Sequence, residues 1–406
     1  MSSYLFIIVV CLVVITSFFF SKMAEKTRIP SVLMLMLLGV GLQQGAEYKG
    51  LEFNYLPVLE VLGIVGLIMI VLEAALDLKL SRKQWPTIWK SFVIGAAGLF
   101  ISAFAFAAIL KLFIQNIEWT NSFIYALPLS IMSSAIVIPS VRNLVKAKKE
   151  FMIYESTFSD ILGIMVFYLL LQNVDASGVA EVSASVFGNV FTTVVVSVIV
   201  SYLLLFAFQF IKAEAKIFLF IAILVLLYSF GKLMHLSSLL IILVFGLILN
   251  NHHILIFNRI RRFFHSDSIE VLLEDFKMIT AEASFLLRTL FFVVFGMSLA
   301  LDSLLNWKVW IVSFLFLAMV YISRYGLFKW IKKDNVFPEA LIAPRGLISV
   351  LLFFAIPEDF KILEFESGTL FVVILITSIV MAWALIDKRL NGGEEKGEVA
   401  SSELTE

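Results

Sequence analysis

Long apolar stretches separated by short polar loops recur along almost the whole chain. A helix needs roughly 17 to 25 apolar residues to cross a lipid bilayer. The pattern predicts thirteen membrane-spanning helices and, as the fold class, an all-α integral membrane protein. The predicted spans are approximately residues 4–20, 29–45, 56–77, 91–112, 122–141, 152–171, 186–211, 217–235, 237–249, 280–301, 309–327, 338–356 and 369–386.

The composition supports a lipid environment. Hydrophobic residues make up 61% of the 406 positions and charged residues 15%, more apolar surface than a soluble protein of this length could bury. The formal net charge is zero, so we expect no nucleic-acid partner. The sequence has one cysteine, Cys11, and no glycine-rich phosphate loop, metal-spaced histidine cluster or nucleophile triad. We therefore expect neither enzymatic activity nor a cofactor.

Basic residues orient the chain. Placing the amino terminus outside assigns 23 Lys and Arg to cytoplasmic loops and the tail, against five in external loops. Such an excess of positive charge is typical of cytoplasmic loops. We expect a multi-pass protein of the cell membrane with an external amino terminus and a cytoplasmic carboxyl terminus.

The two halves of the chain share features at a spacing of about 205 to 225 residues. The second and ninth spans, "IPSVLMLMLLGVGL" and "SSLLIILVFGLILN", are both short and carry a Gly near an apolar end. Six spans, a linker helix at 186–211 and six further spans predict two inverted six-helix repeats. Residues 1–389 would form the membrane domain, and the acidic residues 390–406 a short disordered cytoplasmic tail.

Two spans in corresponding positions contain prolines. The fifth reads "ALPLSIMSSAIVIPSV" and the twelfth "FPEALIAPRGLISV". Proline removes a backbone donor and blocks the preceding turn, so both spans are predicted to be broken helices that cross near the membrane midplane. A matched pair of interrupted spans is the best pointer to a transport site. Ordinary prolyl kinks are the alternative.

The stretch "YESTFSDILG" places two acids, Glu155 and Asp160, in an apolar span. A carboxylate there costs about 2.5 to 3.5 kcal/mol on insertion scales, so it needs a partner, a cavity or a proton. Ser156 and Asp160 share a helix face, and their oxygens suit a small hard cation such as Na⁺. Glu155 points elsewhere and is predicted to pair with Arg345. Because proton and cation compete for Asp160, exchange would follow directly.

These residues resemble the monovalent cation:proton antiporter superfamily over roughly residues 4–386. The closest similarity is to the sodium/proton exchanger branch. "ESTFSD" is similar to its Glu-Ser-x-x-Asn-Asp signature, "LEAALDL" to its Phe-Glu-Gly-Gly-Leu stretch and "APRGL" to its Arg-Gly signature. "SSAIVIPSVRNL" instead resembles the potassium-efflux branch.

The resemblance implies roles for particular residues. Asp160 would carry the cation and the proton, Ser156 would be an ion ligand and Glu73 an accessory acid, with Glu155 and Arg345 as a structural salt bridge. A satisfied internal acid is the alternative for Glu73.

Two departures from the family pattern bear on selectivity and stoichiometry. Ser159 stands where the family has Asn or a second Asp, and Ser134 begins the stretch where the sodium branch has Thr-Asp-Pro. Both serines are retained as candidate ion-binding residues. With one carrier acid, we predict electroneutral exchange.

The resemblance also implies an architecture and a function. Spans within 4–77 and 217–301 would form a dimerising scaffold, and those within 91–171 and 309–386 the moving core. We expect a homodimer in the lipid bilayer that exchanges Na⁺ for H⁺ by alternating access. A K⁺/H⁺ antiporter, a passive cation channel and a Na⁺-coupled organic anion symporter are the alternatives.

The remaining charges inside spans are expected to pair internally or to reach the interface. They are Glu60, Glu282, Arg288 and Arg324. The four histidines are expected to be solvated in loops, with a pH sensor built from His252 and His253 as the alternative.

Overall fold

The computed structural model describes the chain in fourteen stretches. The predicted tail 390–406, His235 and His265 lie outside them. The described residues are 3–27, 30–50, 56–80, 82–114, 116–142, 144–172, 179–208, 216–234, 236, 238–255, 266–299, 301–332, 336–362 and 365–386.

The regular structure in these stretches is helical, as the long apolar segments require: a helix satisfies its backbone polar groups internally, which hydrocarbon demands. Short 3₁₀ helices lie at Arg82–Gln84, Leu301–Leu305, Glu339–Leu341 and Glu358–Phe360. The α-helices are α1 Ser3–Thr27, α2 Ser31–Tyr48, α3 Leu56–Asp77, α4 Trp85–Phe113, α5 Trp119–Ser130, α6 Ser134–Ser140, α7 Lys146–Gln172, α8 Val179–Phe208, α9 Lys216–Leu233, α10 Ser238–Asn250, α11 His252–Leu255, α12 Ser266–Met297, α13 Trp307–Lys332, α14 Leu347–Phe354 and α15 Gly368–Ile386.

Each predicted span coincides with a helix or with a broken pair of helices. The fifth span is divided between α5 and α6, and the twelfth between the 3₁₀ helix Glu339–Leu341 and α14. The all-α membrane fold class is confirmed. Seven helical segments in the described stretches are long and apolar enough to cross a membrane, namely Ile7–Ala24, Trp85–Phe113, Trp119–Ser140, Lys146–Leu171, Leu273–Met297, Trp307–Ile331 and Gly368–Ile386.

One helix boundary differs clearly from the prediction. The tenth span is predicted to begin at residue 280, whereas α12 begins at Ser266. The additional turns contain "SDSIEVLLEDFK", whose five charged residues lower the local hydropathy. Hydropathy identifies the part of a helix that suits lipid, while the backbone hydrogen bonds continue beyond it.

The chain groups into two compact units. The first unit comprises residues 1–55, 86–160 and 292–406, and the second comprises 56–85 and 161–291. The two broken helices and the stretch "YESTFSD" all belong to the first unit.

Glycines allow two close helix crossings, one in each unit. A Cβ on Gly39 of α2 would lie 2.1 Å from the Val293 carbonyl oxygen of α12, and one on Gly296 would lie 2.2 Å from the Met36 carbonyl oxygen. In the second unit, a Cβ on Gly246 of α10 would lie 2.6 Å from the Cβ of Ala75 in α3. Larger residues would push these helices apart.

These two crossings match each other in sequence spacing. Gly246 follows Gly39 by 207 residues, and Gly296 follows Ala75 by 221. The predicted inverted repeat requires such matched contacts between corresponding helices.

Candidate functional site

The first break separates α5 from α6. Helix α5 ends at Ser130 and α6 begins at Ser134, while Ile131 and Ser133 have extended backbone conformations with ψ of 130° and 110°. Pro128 in the last turn of α5 lacks the N–H that would continue the helical hydrogen bonding. The predicted broken helix is confirmed here.

Two side chains of α7 hold this break. The Met132 backbone N–H donates to Ser159 Oγ at 2.9 Å, and the Ser134 backbone N–H donates to Asp160 Oδ2 at 2.9 Å. All these residues are buried, so the bonds satisfy backbone donors that the break leaves without helical partners.

One oxygen of the Asp160 carboxylate is not hydrogen-bonded within the described residues. Its Oδ1 is buried and has no hydrogen-bond partner among the described residues. The hydroxyl of Ser133, inside the break, is likewise buried without a described partner. An acid with one fixed and one open oxygen can accept a proton or a cation without losing its position.

The second break lies between the 3₁₀ helix Glu339–Leu341 and α14. The Arg345 backbone N–H donates to Thr377 Oγ1 of α15 at 3.0 Å. The Ser133 N–H of the first break donates to the Pro344 carbonyl at 2.9 Å, so the two breaks contact each other. A Cβ on Gly346 would lie 2.7 Å from Ser133 Oγ, which explains the glycine at this crossing.

Thr377 is a site residue that the sequence patterns did not indicate. Its role matches that of Ser159, because each hydroxyl accepts a backbone N–H from a break. Thr377 follows Ser159 by 218 residues, within the spacing of the predicted repeat. The signal was available: Thr377 and Ser378 are the polar pair in the middle of the apolar stretch "LFVVILITSIVMAW".

The predicted partner of Glu155 is corrected by the structure. Arg324 of α13 binds both carboxylate oxygens, with Nη1 donating to Oε1 at 2.6 Å and Nη2 to Oε2 at 3.3 Å. Arg345 is buried and attracted by Glu155 through charge, but its Nε has no hydrogen-bond partner in the described stretches. Position on a helix face does not distinguish between two arginines from other parts of the chain, because the choice depends on tertiary packing.

Arg324 also fixes the backbone of the second broken helix. It donates to the carbonyls of Glu339 at 3.0 Å, Ala340 at 3.3 Å and Ile342 at 3.0 Å. One guanidinium therefore joins Glu155 of α7 to the chain that enters the second break. The expected internal pairing of Arg324 is confirmed.

Two other predicted site residues have different surroundings. The Ser156 hydroxyl is buried and donates to the Met152 carbonyl of its own helix at 2.8 Å. Glu73 belongs to the second unit, where Arg288 Nη2 lies 3.5 Å from its Oε1. The expected internal pairing of Arg288 is confirmed, and this contact fits the alternative that Glu73 is a satisfied internal acid.

A small cavity adjoins the first break. Helix α4 contributes small side chains to one wall, and a Cβ on Gly95 would lie 3.1 Å from the Glu155 carbonyl oxygen. The cavity is lined by Gly95, Gly98, Leu99, Ser102, Ser130, Met132, Glu155, Ser159, Arg324 and Arg345. This polar lining links the Glu155–Arg324 pair to Ser159, the neighbour of Asp160.

The model of one protein family, described as sodium/hydrogen exchanger, transmembrane, matches residues 9–386. The chain belongs to the sodium/hydrogen exchanger family. The reaction of that family is cation/proton antiport, and this exchanger is accordingly a multi-pass membrane protein. No curated protein matches the exchanger significantly in sequence.

The exchanger also resembles two solved structures of the sodium proton antiporter MjNhaP1 from Methanocaldococcus jannaschii. The structure at pH 8 is 20% identical, with a TM-score of 0.70 over 95% of this chain and 100% of that chain. A structure from an electron-microscopy map is 18% identical, with a TM-score of 0.68 over 94% and 95% of the two chains. At these identities the likeness concerns the fold.

Proposed function

We propose that this exchanger trades one Na⁺ for one H⁺ at Asp160. The observation that carries the proposal is the state of its carboxylate, in which Oδ2 is held by Ser134 and Oδ1 has no hydrogen-bond partner among the described residues. A buried carboxylate needs a neutralising partner, and either a proton or a cation at Oδ1 supplies one. The two loaded states exclude each other, which is the requirement for exchange.

Hydroxyl oxygens near Asp160 support a cation site there. Ser133 Oγ lies in the same break, and Ser156 lies on the Asp160 face of α7 one turn earlier. Hydroxyl and carboxylate oxygens suit a hard monovalent ion. In our proposal Asp160 and Ser156 are ion ligands, and Ser159 and Ser134 hold the site in shape.

Charge counting favours electroneutral exchange. Asp160 accepts a hydrogen bond from the first break, and Glu155 is paired with Arg324. One carboxylate can trade one proton for one monovalent cation, so no net charge would move.

We propose that the exchanger needs no cofactor and performs no enzymatic reaction.

The wider organisation extends this proposal. The chain would work by alternating access as a homodimer in the cell membrane, with its amino terminus outside and its carboxyl terminus in the cytoplasm. The excess of basic residues in the assigned cytoplasmic loops supports this orientation. A K⁺/H⁺ exchanger is the second candidate, because "SSAIVIPSVRNL" in the first broken span resembles the potassium-efflux branch.

Reconstitution into liposomes that contain a pH-sensitive dye tests the proposal. Adding Na⁺ should move protons through the parent protein, Asp160→Asn should abolish the signal, and Asp302→Asn should retain it, because Asp302 is exposed in the 3₁₀ helix Leu301–Leu305. An imposed membrane potential should leave the parent rate nearly unchanged.

Other outcomes would contradict specific parts of the proposal. Proton movement by Asp160→Asn at the parent rate would remove Asp160 as the carrier. A stronger response to K⁺ than to Na⁺ would select the second candidate. Cation flux without coupled proton flux would indicate a channel.

A further inference from the structure

Three side chains of the second unit form a cluster that the exchange reaction does not use. His252 and His253 begin the short helix α11, and Glu270 lies in the first turns of α12. One ligand atom from each lies within 4.8 Å of the other two. We propose that this histidine–glutamate cluster binds a divalent transition-metal ion, with Zn²⁺ as the probe.

The backbone beside the cluster is firmly anchored. The side-chain amides of Asn250 and Asn251 donate to the Leu78 carbonyl at 3.0 and 2.9 Å, and the Leu80 N–H donates to Asn251 Oδ1 at 2.6 Å. These bonds tie the end of α10 to the residues that follow α3. His252 therefore starts from a fixed position, which lowers the entropic cost of arranging ligands.

The hydrogen bond of His252 selects its coordinating nitrogen. Its ring is buried, and Nδ1 lies 3.0 Å from the Leu249 carbonyl oxygen. A carbonyl only accepts, so Nδ1 must carry the proton, and the lone pair of a neutral ring is then on Nε2. Histidines that bind metals commonly donate their other N–H to a backbone carbonyl in this way.

The other two ligands face water. The side chains of His253 and Glu270 are 52% and 57% exposed, and His253 Nε2 lies 3.3 Å from Glu270 Oε1. Tetrahedral Zn²⁺ with bonds of about 2.0–2.1 Å holds its ligand atoms roughly 3.3–3.4 Å apart. One pair of ligands already has this spacing, and an ion could enter from solvent.

The donor set favours zinc over the common alkaline-earth ions. Two imidazole nitrogens and one carboxylate suit Zn²⁺ and similar transition metals, whereas Mg²⁺ and Ca²⁺ prefer oxygen ligands alone. Three protein ligands leave a coordination position for water. The rings of His252 and His253 are 3.7 Å apart between centroids, which keeps the two imidazoles side by side. Neutral imidazole is the form that metals bind.

A bound ion would join α11 to α12 across residues 256–265 of the sequence. It would stabilise the folded second unit, because an ion that binds the native state alone raises stability by mass action. Under the proposed orientation the site faces the cytoplasm. The site itself does not depend on the identity of the transported cation.

The test uses the full chain in detergent, with the purification tag removed and Cys11→Ser as the background, because the exposed thiol of Cys11 could bind zinc by itself. Titration calorimetry should find one saturable Zn²⁺ site per chain in the micromolar range and none for Mg²⁺. His253→Ala and Glu270→Gln should each weaken binding at least about 10-fold. Glu274→Gln, an exposed acid one turn further along α12, is the matched control and should bind like the background protein.

Thermal unfolding gives a second measurement. Zn²⁺ should raise the unfolding temperature of the background protein and of Glu274→Gln, but not of His253→Ala or Glu270→Gln. Zinc binding that is unchanged in both of those variants, or that is only millimolar in the background protein, would overturn the proposal. Because His253 and Glu270 are exposed, neither variant should prevent folding.

Discussion

The two broken helices are built alike but carry opposite charges. A hydroxyl from the helix after each broken pair accepts a backbone N–H of the break. It is Ser159 of α7 for the first break and Thr377 of α15 for the second. At the next position the first has Asp160, whereas the second has Ser378, whose buried Oγ has no hydrogen-bond partner within the described stretches. The position after the bonding hydroxyl therefore carries an acid at the first break and a hydroxyl at the second.

The second break has arginine side chains near it instead of an acid. Arg345 lies within it, and Arg324 binds the carbonyls that lead into it while pairing with Glu155. Positive charge there compensates carbonyl dipoles that a broken helix exposes. This difference is consistent with the proposal that the ion binds at Asp160 beside the first break.

Removing Arg324 should have the largest effect on stability. Arg324→Ala leaves the Glu155 carboxylate buried without its bidentate partner, and breaking such a pair typically costs about 3–5 kcal/mol. Thermal unfolding in detergent, together with folded yield, measures the loss. A double-mutant cycle with Glu155→Ala should show strong coupling, because both variants remove the same contact.

A second double-mutant cycle, between Arg345 and Glu155, is the comparison for the Arg324–Glu155 cycle. The coupling of Arg345 with Glu155 should be smaller than that of Arg324, because Arg324 binds both carboxylate oxygens. Stronger coupling for Arg345 would restore the pairing expected from sequence and contradict the structural one.

The crossing of the two breaks should tolerate no side chain at Gly346. Gly346→Ala would place a Cβ 2.7 Å from both Ser133 Oγ and Ile136 Cδ1, and overpacking of this kind costs about 1–3 kcal/mol. The unfolding temperature should fall. Gly326→Ala in α13 is the control, because nothing lies within 4 Å of its Cβ position. That variant should be neutral or stabilising, since Ala favours a helix.

Loss of the hydroxyl that holds the second break should have an effect no larger than that of Gly346→Ala. Thr377→Val keeps the shape of the side chain but leaves the Arg345 N–H without its acceptor, at a cost of about 1–3 kcal/mol. Ser378→Ala should cost less, since its hydroxyl has no described partner to lose. Equal unfolding temperatures for the two variants would argue that Thr377 does not hold the break.

Local sequence patterns predicted most of the helices of the fold. Apolar length predicted a helix or a broken pair of helices at each of thirteen positions, and the prolines of the fifth and twelfth positions located both breaks. These signals act within a few residues of chain. The prediction that Glu155 and Asp160 point in different directions also depended only on neighbouring residues of one helix. The early start of α12 was missed because hydropathy reports lipid compatibility and not helix length.

The sequence by itself determined a membrane-spanning helical chain with interrupted fifth and twelfth spans and an acid at Asp160, since each depends on the residues nearby. The tertiary structure alone decided which arginine binds Glu155, that Thr377 holds the second break, and that His252, buried and not solvated as expected, lies beside Glu270. These contacts join residues far apart in sequence. Their partners are selected by how helices pack, which local patterns do not specify.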